Sequence, residues 1–231
     1  MNDLNPLYSR STTDIIVKQN TLIRKVYAWM GAGLAITAFM ALITLSSPAI
    51  LNAVLGNKLI FYGLIVGELA LVFTLSGAIN RLSAATATLI FIVYAALNGI
   101  TLSVVFLAYT ANSITSTFVI TAGMFGAMSL YGSMTKRDLT SWGSFLFMGL
   151  IGIVIASIVN IFVGSSAVSW IVSGIGVIVF TGLTAYDTWK IKEMAAQGIE
   201  GRKPAIIGAL TLYLDFINLF LMLLRFTGNR R

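Results

Sequence analysis

Three acidic residues stand inside long apolar runs of this sequence: Glu68, Asp187 and Asp215. An ionised side chain is costly in an apolar span, so such an acid usually faces a cavity, pairs with another group or holds a proton. These residue types therefore predict ion or proton chemistry within the apolar part of the chain.

Asp215 lies far from either end of the last apolar run. At helical spacing it shares one stripe with Gly208, Thr211, Asn218 and Met222, whereas the remainder of that run is mostly Leu, Ile and Phe. The small and polar stripe is predicted to face protein, with Asn218 as a pore-lining or proton-relay residue. The alternative is that Asp215 is neutral and hydrogen-bonds a neighbouring helix as a purely structural contact.

Asp187 lies near the end of the preceding apolar run, in Gly-Leu-Thr-Ala-Tyr-Asp-Thr, and it could simply pair with Lys190 on the next turn. Consecutive spans are antiparallel neighbours, so Asp187 and Asp215 could also meet if the last helix begins before the lipid and enters it near Gly208. Two touching carboxyls would compete for one proton. When both are ionised they would attract a hard cation such as calcium, which prefers oxygen ligands. The pair is thus predicted to be a proton-versus-calcium site.

Glu68 and Arg81 belong to the second apolar run and its end. Glu68 is predicted to line a pore or relay protons, or else to be a packed, protonated acid. Arg81 is most simply an anchor at the cytoplasmic surface. The alternative is a cation that forms a salt bridge with the aspartate pair and holds it shut.

The composition places these residues in a membrane protein. Hydrophobic residues make up 58% and charged residues 10% of the chain, against roughly 25% charged in soluble domains. The chain has no Cys and no His, which excludes disulfides, Cys/His zinc sites and a Ser/His/Asp hydrolase. The net charge of +7 comes from scattered Lys and Arg, so no nucleic-acid partner is expected. No enzymatic activity is expected either.

Seven apolar runs are each about 20 residues or longer, the length that crosses the hydrocarbon of a bilayer. The predicted fold is therefore all-α and polytopic, with residues 1–25 as a cytoplasmic N-terminal segment and 26–231 as one seven-helix domain. The predicted spans are Val26–Leu45, Leu59–Ile79, Leu82–Tyr109, Ile114–Met134, Trp142–Val163, Val168–Trp189 and Ala205–Phe226.

The distribution of Lys and Arg predicts the orientation. With the N-terminus inside, eleven Lys and Arg residues fall on the cytoplasmic side and four on the outer side. Arg225, Arg230 and Arg231 at the C-terminus oppose this majority. The Gly pairs Gly123-x-x-Gly126, Gly149-x-x-Gly152 and Gly174-x-Gly176 are predicted to serve helix packing.

Two segments carry a resemblance to a known family: Gly-Leu-Thr-Ala-Tyr-Asp-Thr at 182–188 and Ala-Leu-Thr-Leu-Tyr-Leu-Asp-Phe-Ile-Asn-Leu-Phe at 209–220. Residues 97–103, 121–127 and 135–139 add to it. From about Val26 onward the chain resembles the bacterial Bax inhibitor-1 family, and most of all its inner-membrane branch in Gram-negative bacteria.

The resemblance implies six helices around a central seventh and a pH-sensitive calcium leak. The family's paired aspartates fall on Asp187 and Asp215, its latching arginine on Arg81, and its second-helix acid on Glu68. The family also includes members that bind and modulate a membrane protease.

The sequence thus predicts a calcium leak channel of the bacterial cytoplasmic membrane, gated by protonation of the aspartate pair. Calcium would be the permeant or bound ion, and no other cofactor is expected. One alternative is a regulatory protein that contacts a membrane protease through residues 1–25. Another is a proton-coupled cation exchanger that uses the same carboxyls, and an intramembrane hydrolase has least support.

Overall fold

The computed structural model describes the backbone of residues 5–231 and the side chains of residues 14–231. The described chain forms eight α-helices, joined by short connectors and one 3-10 turn at Ile79–Arg81. The helices are α1 Asn5–Ser46, α2 Pro48–Gly56, α3 Lys58–Ala78, α4 Ala84–Ala108, α5 Ala111–Met134, α6 Thr140–Val163, α7 Ser166–Ala196 and α8 Arg202–Thr227.

Within the described residues, seven of these helices are long and apolar enough to cross a membrane. The prediction of an all-α polytopic membrane protein is confirmed, and all but α2 correspond to predicted spans. The apolar side chains left exposed fit lipid on the outside, since a water-soluble protein rarely leaves such large apolar patches uncovered. Leu59 is 83% exposed and Phe162 is 85% exposed.

Helix boundaries follow local sequence signals. The predicted stop after the first span is confirmed, because α1 ends at Ser46 and Ser47 caps a new helix whose first residue is Pro48. That short helix, α2, was not predicted. The predicted break after the fifth span is also confirmed. Gly164 adopts a left-handed conformation with φ 66° and terminates α6.

Two helices extend well beyond their predicted spans. Helix α7 continues to Ala196, seven residues past the predicted end at Trp189, because Ile191 and Ala195 are buried on one face of the extension. Helix α1 is described from Asn5 rather than from Val26, and the first four residues of the predicted segment 1–25 lie outside the described residues. Hydropathy marks where lipid contact ends, not where a helix ends.

The chain divides into two compact units. The first contains residues up to Val104 together with Lys190–Leu210, and the second contains Val105–Trp189 together with Thr211–Arg231. The single domain predicted for 26–231 stays a prediction. Among the seven span helices α8 is the most buried, at 72% of its apolar window against 11–39% for the others. Its predicted place at the centre of six helices also stays a prediction.

In the first unit, the N-terminal part of α1 contacts both the end of α7 and the segment that links α7 to α8. Lys18 Nζ lies 2.9 Å from Glu200 Oε1, and Gln19 Nε2 donates to the carbonyl oxygen of Lys192 at 3.4 Å. Both side chains of the ion pair are partly exposed, so this contact orients the helix more than it stabilises the fold.

In the second unit, glycines let three helices approach α7 closely. A Cβ atom on Gly132 of α5 would overlap the carbonyl oxygen of Ala185, and one on Gly143 of α6 would overlap the Tyr186 ring. A Cβ atom on Gly176 of α7 would lie 2.7 Å from Met222 of α8. The first two contacts lie beside Asp187 on α7, and the third lies eleven residues before it.

The predicted packing role holds for some of the glycine pairs. Gly149 faces Val179, and Gly174 and Gly176 face Phe226 and Met222. The prediction is wrong for Gly123, Gly126 and Gly152, because a Cβ atom there would meet nothing within 4 Å. Spacing alone does not tell which face of a helix meets a neighbour.

Substituting Gly132 tests this packing. Gly132→Ala should destabilise the protein by about 1–3 kcal/mol, because the added methyl meets a backbone carbonyl that side-chain rotation cannot move. The matched control is Gly123→Ala on the same helix, which should be neutral or stabilising by up to about 1 kcal/mol through helix propensity. Thermal unfolding in detergent measures both. Equal melting temperatures for the two variants would contradict the close α5–α7 contact.

Candidate functional site

Helices α7 and α8 run antiparallel in the second unit, and their contacts bring the two predicted aspartates together. Gly176 near the start of α7 packs against Met222 near the end of α8. Eleven residues further along α7, the carboxyl of Asp187 meets that of Asp215. Helix α7 extends beyond its predicted end at Trp189, and α8 begins at Arg202, three residues before its predicted start at Ala205.

The two carboxyls interact electrostatically and through a side-chain hydrogen bond. Asp215 is 4% exposed, whereas Asp187 is half-buried. Because an ionised carboxylate has no hydrogen to donate, a hydrogen bond between two carboxyls requires a proton on one of them. The contact between α7 and α8 can therefore be a hydrogen bond only while one of the two carboxyls is protonated. Oδ2 of Asp215 is buried and accepts no hydrogen bond from the described residues.

Hydroxyl groups and aromatic rings lie next to the two aspartates, where α7 and α8 contact α5. Thr188, next to Asp187, has its Oγ1 2.8 Å from Ser129 Oγ of α5, and both side chains are buried. Phe216, next to Asp215, packs its ring against Phe118 and Phe125 of α5 at centroid distances of 5.6 and 5.5 Å. The carboxyl pair thus lies where α5, α7 and α8 meet, with neutral neighbours in the sequence on both helices.

Two carboxyls supply only part of a calcium coordination shell, which takes roughly six to eight oxygens. Across the described residues, no three or more His, Cys, Asp or Glu side chains are grouped so that they could hold a metal ion. A calcium ion at Asp187 and Asp215 would have to keep water or bind backbone oxygens as well.

Glu68 has its own partners within the first unit. It is buried on α3, and Thr101 Oγ1 of α4 donates to its Oε1 at 2.5 Å. The Asn98 side chain also lies close to Glu68, and its Nδ2 lies 3.4 Å from the Tyr94 hydroxyl oxygen. The result is a buried polar cluster in the apolar region, formed by Glu68, Thr101, Asn98 and Tyr94.

The sequence predicts Glu68 as a site residue but none of its partners. A signal was available, because Tyr94, Asn98 and Thr101 recur at the spacing of one helical face, the same signal that marked Asp215.

The other predicted site residues lie elsewhere. Asn218 is half-buried on α8, three residues beyond Asp215. Arg81 is exposed at the end of the 3-10 turn. Arg81 belongs to the first unit and the aspartates to the second, so the predicted salt bridge between them stays a prediction. The predicted gating and calcium-binding roles of the aspartates stay predictions as well.

Comparisons with known proteins bear on the identity of the chain. The family model described as inhibitor of apoptosis-promoting Bax1 matches residues 19–231. The inner membrane protein YbhL of Escherichia coli K12 is 56% identical over 216 residues, which cover 91% of this chain and 92% of YbhL. An uncharacterized protein of Borreliella burgdorferi is 47% identical over 223 residues, covering 94% and 95% of the two chains. One of Deinococcus radiodurans is 45% identical over 214 residues, covering 91% of each. The chain therefore belongs to the Bax inhibitor-1 family.

Proposed function

We propose that this protein is a calcium leak channel whose opening is controlled by the proton shared between Asp187 and Asp215, and that it performs no covalent chemistry. The observation that carries the proposal is the contact between the Asp187 and Asp215 carboxyls of α7 and α8, with Asp215 almost fully buried. An acid pair that only stabilised the fold would have to remain protonated, whereas a gate uses both protonation states.

Loss of the shared proton changes the interaction from attraction to repulsion. Two like charges about 4 Å apart repel by about 4 kcal/mol at an effective dielectric constant of about 20. That energy corresponds to roughly a thousandfold change in an equilibrium constant, enough to shift a closed state toward an open one. The same two charges attract a divalent cation. The channel is therefore closed when the proton is shared and open when both carboxyls are ionised.

The remaining predicted residues have supporting roles in this proposal. Glu68, with Thr101 and Asn98, offers carboxyl, hydroxyl and amide oxygens of the kind that bind hard cations or relay protons. Asn218 extends the polar stripe of α8 by one turn from Asp215. Arg81 would form a salt bridge with an ionised aspartate and so oppose opening.

The proposed location is the bacterial inner membrane with a cytoplasmic N-terminus. Seven apolar helices support membrane insertion, and the relative YbhL is named an inner membrane protein. The excess of Lys and Arg on one side of the predicted spans supports the orientation.

Calcium flux from liposomes tests the proposal. In liposomes that carry the purified protein in their membrane and enclose a calcium dye, calcium flux should rise with pH. The rise should be up to about tenfold per pH unit, the limit for titration of one proton. Replacing both aspartates, as Asp187→Asn with Asp215→Asn, should leave a low flux that no longer depends on pH. An unchanged pH dependence in the double variant would remove the proposed gate.

The control and the rival transport mechanism use the same vesicles. Asp14→Asn removes an exposed acid from α1 and should retain the pH dependence of the wild type. A leak needs no proton gradient, whereas an exchanger moves calcium only against an opposing proton flow. Flux that disappears when the proton gradient is dissipated would favour the exchanger.

A second candidate function is regulation of a membrane protease, as the resemblance implies for some family members. Helix α1 has 42 residues and is about 63 Å long, roughly twice the hydrocarbon thickness of about 30 Å, so part of it projects from the bilayer. On this part Ile15, Ile16 and Val17 are 38%, 50% and 57% exposed. Three adjacent exposed apolar residues favour a protein contact.

Replacing Ile15, Ile16 and Val17 with Ser tests the contact surface. We expect the variant to keep its calcium flux and to lose co-purification with membrane proteases, because the substitutions leave Lys18 and Gln19 in place. Quantitative mass spectrometry of affinity-purified membranes measures the loss. Equal protease recovery with wild type and variant would show that this surface does not bind the protease.

A further inference from the structure

A cavity of about 290 Å³ opens in the second unit where α6 ends, α7 begins and α8 ends. Arg225 is its charged lining residue, and no acidic residue lines it among those whose side chains the structure describes. This volume lies near the roughly 300 Å³ lower end of small-molecule sites, so it suits a headgroup-sized ligand. The cavity is lined by Ser157, Asn160, Ile161, Ser169, Val172 and Arg225.

Arg225 differs from the other C-terminal arginines. The Arg230 guanidinium lies over the Tyr109 ring at 5.8 Å, and the Arg231 backbone N–H donates to the carbonyl oxygen of Ala108. Arg225 lies in the last turn of α8, and its side chain forms no ion pair with any residue that the structure describes. A cation at the end of a membrane span that lacks an acidic partner has room for an external anion.

Hydroxyl groups border the same cavity. Asn160 is fixed by bonds to the Ser165 backbone, and its Nδ2 donates to Ser169 Oγ at 2.7 Å. The Ser169 hydroxyl hydrogen and the Ser157 hydroxyl have no partner in the described part of the chain. A guanidinium fork beside two hydroxyl donors matches the oxygens of a phosphate group.

The surface around the cavity is strongly apolar. Ile161 is 78% exposed and Phe162 is 85% exposed on α6, and Trp170 is 58% exposed on α7. Trp side chains favour the membrane–water interface. A ligand that fits both the cavity and the apolar surface around it needs a phosphate group for the cavity and acyl chains for the surface. A phospholipid has both.

We propose that this cavity binds the phosphodiester headgroup of an anionic glycerophospholipid in the leaflet at the C-terminal end of α8. Phosphatidylglycerol fits better than phosphatidylethanolamine, because none of the described lining residues has a carboxylate to accept an ammonium group. The bound lipid also explains why an arginine is tolerated at the end of α8, although the bias of Lys and Arg places most of them on the other side of the membrane.

Fluorescence quenching by brominated lipids tests the proposal on the full-length protein. Trp170 reports on the site, since its ring packs against Phe226, the neighbour of Arg225, with centroids 4.7 Å apart. In a variant that keeps Trp170 as its one tryptophan, brominated phosphatidylglycerol should quench at a mole fraction about tenfold lower than brominated phosphatidylethanolamine. Arg225→Gln should abolish this preference, and Arg225→Lys should retain part of it because Lys keeps the charge without the fork.

Arg231→Gln is the matched control, because it removes the same charge from the same end of the chain and keeps the backbone bond to Ala108. It should retain the full preference. Glycerol 3-phosphate in the buffer should not displace the lipid, and displacement would identify a soluble-phosphate site instead. Equal quenching by the two lipids in the parent protein, or an unchanged preference in Arg225→Gln, would overturn the proposal.

Discussion

Two carboxyl groups, on α7 and α8, meet in an apolar part of the second unit. A hydrogen bond between them can exist only while one carboxyl holds a proton. Removing that proton leaves two negative charges in contact where little water can screen them. The contact is therefore stable in one protonation state and repulsive in the other. The proposed gating, the attraction of calcium and the role of Arg81 all depend on this constraint.

Glycine residues allow close packing of the helices around the two aspartates. Gly132, Gly143 and Gly182 bring α5 and α6 against α7 around the segment that carries Asp187, and Gly176 brings α7 against α8. Without a Cβ atom at these positions, the backbone of α7 packs closely against its neighbours beside Asp187. Repulsion between two ionised carboxyls would therefore act between closely packed helices. A similar close contact occurs in the first unit, where Gly99 of α4 packs against the backbone of Thr37 on α1.

Much of the fold was predictable from the sequence because apolar run length and helix-breaking residues are local signals. The Ser-Pro and Gly-Ser-Ser breaks ended helices as expected, and the polar stripe of α8 identified the face that carries Asp215. The extension of α7 to Ala196 was not predictable from hydropathy, because burial of Ile191 and Ala195 depends on neighbouring helices. The partners of Glu68 followed a visible helical spacing, but their convergence on α3 depends on tertiary packing. For the same reason spacing did not separate Gly176, which packs, from Gly126, which does not.

Infrared spectroscopy of the shared proton tests the central claim most directly. In lipid-reconstituted protein, a carboxylic-acid C=O band should disappear as pH is raised, and it should be missing from the spectra of both Asp187→Asn and Asp215→Asn. Glu68→Gln serves as the control, since it removes the other buried acid and should leave this band in place. A band that persists in both aspartate variants, or wild-type spectra without any such band outside the Glu68 contribution, would contradict a proton shared between α7 and α8.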